Sequence, residues 1–163
     1  MAAIPADDYS NELDQVRAPG HEPLKPNEEH GRVRFGRFTF ETPETTGTTD
    51  GTNIFVYRLP KGARVLEIFM AWEAMGTTAA CDVGLAGADG SGYIDADDSV
   101  ADDDDLFAAA IDVSSAGENI CADTIAQNYG YELGKECYLV LTAETANWAA
   151  EKDMIGHVLF VVD

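Results

Sequence analysis

Cys137-Tyr-Leu-Val-Leu-Thr-Ala143 and Met154-Ile-Gly-His-Val-Leu-Phe-Val-Val162 are the two stretches that decide the fold. Each is a short apolar run, rich in β-branched and aromatic side chains, and a loop carrying Trp148 joins them; both read as strands. The chain ends one residue after the second run, so that strand is expected to be internal and tied down. Further back, Ala63–Trp72 reads as a longer strand. Its alternation predicts Val65, Glu67, Phe69 and Ala71 on one side and Leu66, Ile68, Met70 and Trp72 on the other. Thr78–Ala86, centred on Asp82-Val83-Gly84-Leu85, and Ile54–Leu59 are two more, the latter leaving through the turn Pro60-Lys61-Gly62.

From Arg32 the period is again two, through Val33, Phe35, Phe38 and Phe40, with Gly36 expected to shift the register as a bulge. Thr42–Asn53 is a polar loop, and residues 87–105 form a long acidic one. Leu106–Val113 stays open between strand and short helix: Ala108-Ala109-Ala110 favour helix, Ile111 and Val113 favour strand. Ile120–Ala126 is open between a strand and a helical turn, and Tyr129–Leu133 is a short element. Seven or eight short strands without intervening long helices predict an all-β antiparallel sandwich, with a jelly roll favoured by the strand count. The sandwich is assigned to residues 32–163.

Residues 1–31 read as an extended N-terminal arm. Pro5, Pro19, Pro23 and Pro26 interrupt helix, and Gly20 and Gly31 add freedom. A short helix over Asp8–Val16, capped by Ser10, would place Leu13 and Val16 on one side, and Leu24 sits among charges. Leu13, Val16 and Leu24 are thus the candidate contact side chains of the arm.

Charge is distributed unevenly. Residues 1–64 hold eight of the ten basic residues and ten of the thirty acidic ones, whereas residues 65–163 hold only Lys135 and Lys152 against twenty carboxylates. A body this acidic repels nucleic acid and anionic membranes, which removes both as expected partners. Arg32, Arg34 and Arg37, at the junction of arm and body, are the only basic cluster. Planar guanidinium groups there suit docking to an acidic surface, on a partner or on another copy. Arg32 and Arg34 are expected to share a strand face, while the bulge leaves the side of Arg37 open.

Other chemistry is sparse. Cys81, Cys121 and Cys137 have no metal-ligand spacing and form no evident disulfide framework, so synthesis in a reducing cytoplasm is expected, with Cys81 and Cys137 read as buried thiols. No apolar segment approaches the roughly 20 residues of a membrane span, and Asp7, Asp8, Glu12 and Asp14 spoil a secretory leader. His21 and His30 lie in the arm, and His157 is read as a packed or rim histidine of the last strand. No GxSxG, P-loop, HExxH or GxGxxG motif is present, so the chain is not expected to be an enzyme. Trp72 and Trp148 are the side chains a sugar-binding face would use, although a strand tryptophan is usually core.

The acidic loop is the other candidate site. Calcium takes roughly six to eight oxygen ligands, and a carboxylate cluster could supply them. Asp95-x-Asp97-x-Ser99 imitates the start of an EF-hand loop, but Val100 stands where glycine is needed and Leu106 where a bidentate glutamate belongs. The EF-hand match fails. Asp95, Asp97, Asp102 and Asp104 remain weak candidates for an irregular calcium site, beside the plainer expectation of a solvated loop and no cofactor.

The turn Leu59-Pro-Lys-Gly-Ala-Arg-Val65 precedes the Asp82-Val-Gly-Leu85 strand, and Tyr129-Gly130-Tyr131 precedes the last strands. In these features residues 50–162 resemble the capsid decoration, or cement, proteins of tailed bacteriophages, which have jelly-roll bodies. The arm and the aspartate-rich loop lie outside that pattern. The resemblance implies a virion protein on the outer capsid surface that bridges subunits of the major capsid protein and self-associates, often as a homotrimer. Two rivals are a tail, fibre-base or head-spike component, and a calcium-dependent carbohydrate-binding module.

Overall fold

The computed structural model describes residues 33–121 and 132–162. Its eight strands are β1 Arg34–Glu41, β2 Asn53–Leu59, β3 Ala63–Trp72, β4 Ala80–Gly87, β5 Asp103–Asp112, β6 Gly117–Cys121, β7 Cys137–Glu144 and β8 Asp153–Val162. They form two four-stranded sheets, ordered β1-β8-β3-β6 and β2-β7-β4-β5, and every neighbouring pair is antiparallel. This order is that of a jelly roll, in which successive strands pass from one packed sheet to the other, except β4 and β5, which are neighbours in one sheet. β8 is internal, hydrogen-bonded to β1 on one side and β3 on the other.

Two registers differ from the sequence expectation. β1 runs unbroken along β8 from Arg34 opposite Phe160 to Glu41 opposite Asp153, so no bulge occurs at Gly36. Glycine is needed there for another reason: a Cβ would lie 2.4 Å from Cζ of Tyr57, whose ring comes across from β2. The bulge falls instead at Leu66, between Val65 and Glu67 of β3. It lets Ala63 and Val65 turn to the same buried side as Ile68, Met70 and Trp72, where strict alternation had grouped Val65 with Glu67, Phe69 and Ala71.

The open segment 106–113 is strand. β5 is the edge partner of β4 and begins within the aspartate run, at Asp103, so that the loop is shorter than expected. Alanine's helical preference loses to the unpaired edge of β4, which a helix could not satisfy. The accommodation is irregular: Ala110 takes a φ of 51°, and its N–H donates to Asp82 Oδ1 at 2.5 Å. Burial pushes the Asp82 carboxyl above the usual range, against the lowering effect of that bond. β6 starts at Gly117, and of the expected 120–126 element only Ile120 and Cys121 are described, both in strand. Of the 129–133 element, Glu132 bridges to Arg64 and Leu133 is buried.

The core lies between the sheets, around Leu59, Ile68, Met70, Leu85, Leu139, Leu141 and Met154. Trp148 closes one end. It is fully buried, and its indole Nε1 donates to the Ala80 carbonyl at 3.0 Å. Trp72 is also buried and donates to the Ser115 carbonyl at 2.9 Å, so neither tryptophan offers a sugar-stacking face. The three cysteines are buried thiols, and burial raises Cys81 and lifts Cys137 to about 11, far from the reactive thiolate.

Candidate docking surface

Arg34 and Arg37 both lie on β1 and both are exposed. With no bulge between them they fall on opposite sides of the strand: Gly36 and Phe38 share Arg34's parity and are buried, whereas Phe35, Arg37 and Thr39 point outward. Neither arginine pairs with a described residue. The other expected contact residues, Arg32, Leu13, Val16 and Leu24, lie outside the described residues, as do His21 and His30.

Beside Arg37 the cross-strand partner is His157. Its imidazole is stacked between Phe35, at 5.0 Å between centroids and 28°, and Phe69, at 5.3 Å and 23°. Glu67 Oε1 stands 3.5 Å from Nε2. The two rings hold the imidazole plane from both faces, which makes it part of a packed surface cluster. Sequence reading placed His157 in the strand but missed this sandwich, because the three residues come from three strands.

The acidic loop is a tied structure. Asp95 accepts hydrogen bonds from the backbone N–H groups of Ser99 (2.8 Å) and Val100 (2.7 Å) and from Ser99 Oγ (2.5 Å), an aspartate-headed turn. These bonds hold its carboxyl at about 2. Lys135 reaches across from the start of β7 to Asp98 (2.7 Å), Ser91 Oγ (2.8 Å) and Asp89 (3.3 Å). Asp89, bonded first by Ser91 and then by Lys135, is likewise held at about 2. The lysine ammonium therefore sits among the carboxylates where a cation would otherwise be placed. Asp102 accepts from the Gly87 N–H, and Asp97 and Asp104 are exposed. The described residues contain no group of three or more His, Cys, Asp or Glu arranged to hold a metal ion. Lys135 was legible as one of two lone cations in an acidic body, but its partners were not, being some forty residues away in sequence.

No protein-family model matches the chain, and no curated protein matches it in sequence. Solved structures do match. A chain of the capsid of Ralstonia phage GP4 is similar at 23% identity and a TM-score of 0.60, over 82% of this chain and 85% of that one. A chain of the cyanophage Pam1 capsid asymmetric unit is 18% identical, with a TM-score of 0.58 over 100% of both. A chain of the Helicobacter pylori bacteriophage KHP30 capsid is 15% identical, with a TM-score of 0.50 over 82% of this chain and 90% of that one. What is shared is the fold.

Proposed function

We propose that this chain is a structural protein of a phage virion, seated on the outer capsid surface as a decoration protein. The observation that carries the reading is the jelly roll matched over the whole chain by a chain of a phage capsid. In this reading Arg34 and Arg37, exposed and pairing with no described residue, meet acidic groups of the major capsid protein. The acidic remainder faces solvent and keeps particles apart. Each bridge between neighbouring shell subunits adds contact that must be broken before the shell opens, which stabilises it by linkage. The role is mechanical and non-enzymatic, synthesis is in the host cytoplasm, and copies of the chain associate with one another; a homotrimer is the form the resemblance implies.

The test is the copy number of this chain relative to the major shell protein in purified virions. Hundreds of copies, removable while the shell stays closed, are expected for a decoration protein. A shell that fails to form without the chain would make it a shell subunit, a dozen copies would move it to the tail or a vertex, and absence would overturn the reading.

A further inference from the structure

We propose that the free edge of β1 is a strand-addition site that takes β1 of a second copy of this chain, antiparallel and in one register, joining two sheets into a continuous one. The inference stands on the edge itself and does not require a virion setting.

A sheet edge is a row of open backbone groups, and folds blunt their edges with bulges, charge or short strands. Three of the four edge strands here are blunted. β2 is bulged between Phe55 and Tyr57, β5 is irregular and carries the aspartate run, and β6 spans five residues. β1 is the exception, with eight residues, an unbroken register and no proline. Among the described residues it pairs with β8 alone. The Thr42 N–H donates to the Lys152 carbonyl, the next pair of that register, and the Glu73 N–H donates to the Asp153 carbonyl on the β3 side. Bonded pairs alternate along an antiparallel ladder, so Arg34, Gly36, Phe38 and Phe40 turn their backbone groups to β8. Those of Phe35, Arg37, Thr39 and Glu41 face the open edge.

Side chains along the edge select the occupant. Arg37 and Glu41 are exposed, and neither has an ion-pair partner among the described residues. Glu41 stands opposite Asp153, a like charge that favours a cation on its other side. Phe38 is buried and Phe40 half-buried, so the residues set against them must be apolar. The edge therefore calls for a basic residue, an apolar one, any residue, an apolar one and an acidic one. β1 itself reads Arg37-Phe38-Thr39-Phe40-Glu41. Turned about a two-fold axis normal to the sheet through Thr39, it sets Arg37 against Glu41 of the copy, twice, and Phe38 against Phe40. An axis through Arg37 sets that arginine against itself, and one through Phe38 sets Glu41 against Phe35. Arg34, an inward-side charge of the kind that blocks strand addition, falls outside the paired segment 36–42. The chain just before β1, folded straight back, does not supply such a strand. Pro23 and Pro26 have opposite parity, so in any register one of them would face the edge without an N–H. Edge pairing buries little surface, so it is weak and concentration-dependent. Arg37 cannot serve the copy and a shell together, so the pair is the form of the free chain.

Sedimentation velocity of the full chain over a concentration series, with amide hydrogen exchange at both ends of that series, is the test. The mass is expected to rise reversibly from 17.5 kDa to twice that. Exchange at Arg37, Thr39 and Glu41 should slow by roughly tenfold or more in the concentrated sample. Thr39→Pro removes the central donor where proline is tolerated, on an edge strand with its N–H outward, and should weaken pairing by roughly tenfold or more while keeping the circular dichroism of the sandwich. Arg37→Glu and Glu41→Arg each set like charges face to face and should each weaken pairing roughly tenfold, and the double variant should restore it. A monomer throughout, a mass that stops at three copies, or edge amides equally protected in dilute solution would each overturn the proposal. So would association that Thr39→Pro leaves untouched, or charge variants that do not compensate. Virion copy number is independent of all these outcomes, so either reading can fail alone.

Discussion

Phe38 lies with its ring against the bare backbone of Gly156, its direct antiparallel partner across β1 and β8. A Cβ at Gly156 would stand 2.3 Å from Phe38 Cζ and 2.5 Å from the Phe69 carbonyl oxygen, so ring and backbone both block it. The side chain of Phe38 fills the space its neighbour leaves empty, and the contact joins three strands of one sheet.

Gly156→Ala is therefore expected to destabilise the sandwich by about 1–3 kcal/mol, the range for overpacking a filled core. Equilibrium urea denaturation reads the change. Phe38→Leu in the same chain relieves the ring but leaves the Phe69 carbonyl, so recovery should be partial. Full recovery would place the strain on the ring alone.

Trp148 offers a second test, because it combines buried volume with one hydrogen bond. Trp148→Phe loses the donation to the Ala80 carbonyl and part of the volume, whereas Trp148→Ala leaves a cavity and should cost about 3–5 kcal/mol. The alanine variant should therefore be clearly the less stable of the two in the same denaturation experiment. Equal costs would mean that the hydrogen bond, and not the packing, holds this end of the sandwich.

The acidic loop has a defined pH response. Asp89 and Asp95 have carboxyls depressed to about 2 by bonds made only in the folded loop. Their contribution is complete above the ordinary carboxylate value of about 4 and is lost as pH falls towards 2. Backbone amides of Ser99 and Val100 should stay protected from hydrogen exchange at pH 5 and open between pH 4 and 2, after correction for intrinsic rates. Lys135→Met should open the loop at neutral pH, because Asp89 and Asp98 then face each other without the ammonium. Unchanged exchange in that variant would show that the Asp95 turn alone holds the loop.

Removing residues 1–31 is expected to leave the sandwich folded and to weaken attachment to shells, since the described core is complete from β1 onward. Arg32, Arg34 and Arg37 changed together to Ala should weaken attachment mainly at low salt. Cosedimentation with shells lacking the chain measures both. A truncated chain that unfolds would move the boundary of the sandwich into the arm. Attachment of the arginine variant unchanged at low salt would mean these groups are merely solvated.

Most strands were legible because alternation of apolar and polar residues is a local record of which side is buried. Ala63–Trp72 emerges with its expected bounds, and β7 and β8 lie where their apolar runs put them. The candidate surface was legible only in its charges. Arg34 and Arg37 stood out in an acidic chain, but the ring sandwich of Phe35, His157 and Phe69 draws on three strands that only pairing brings together.

By itself, then, the sequence determined a β protein of short strands and a sharp division of charge. The tertiary structure decided the order β1-β8-β3-β6 and β2-β7-β4-β5, the bulge at Leu66 rather than Gly36, the strand state of Ala108–Ala110, and the lysine among the aspartates. The reason is physical. Alternation is set by each residue's own preference for water or core, whereas register, edge pairing and ion partners depend on what a distant strand presents at that point. The ring of Tyr57, the open edge of β4 and the ammonium of Lys135 are all supplied from elsewhere in the chain.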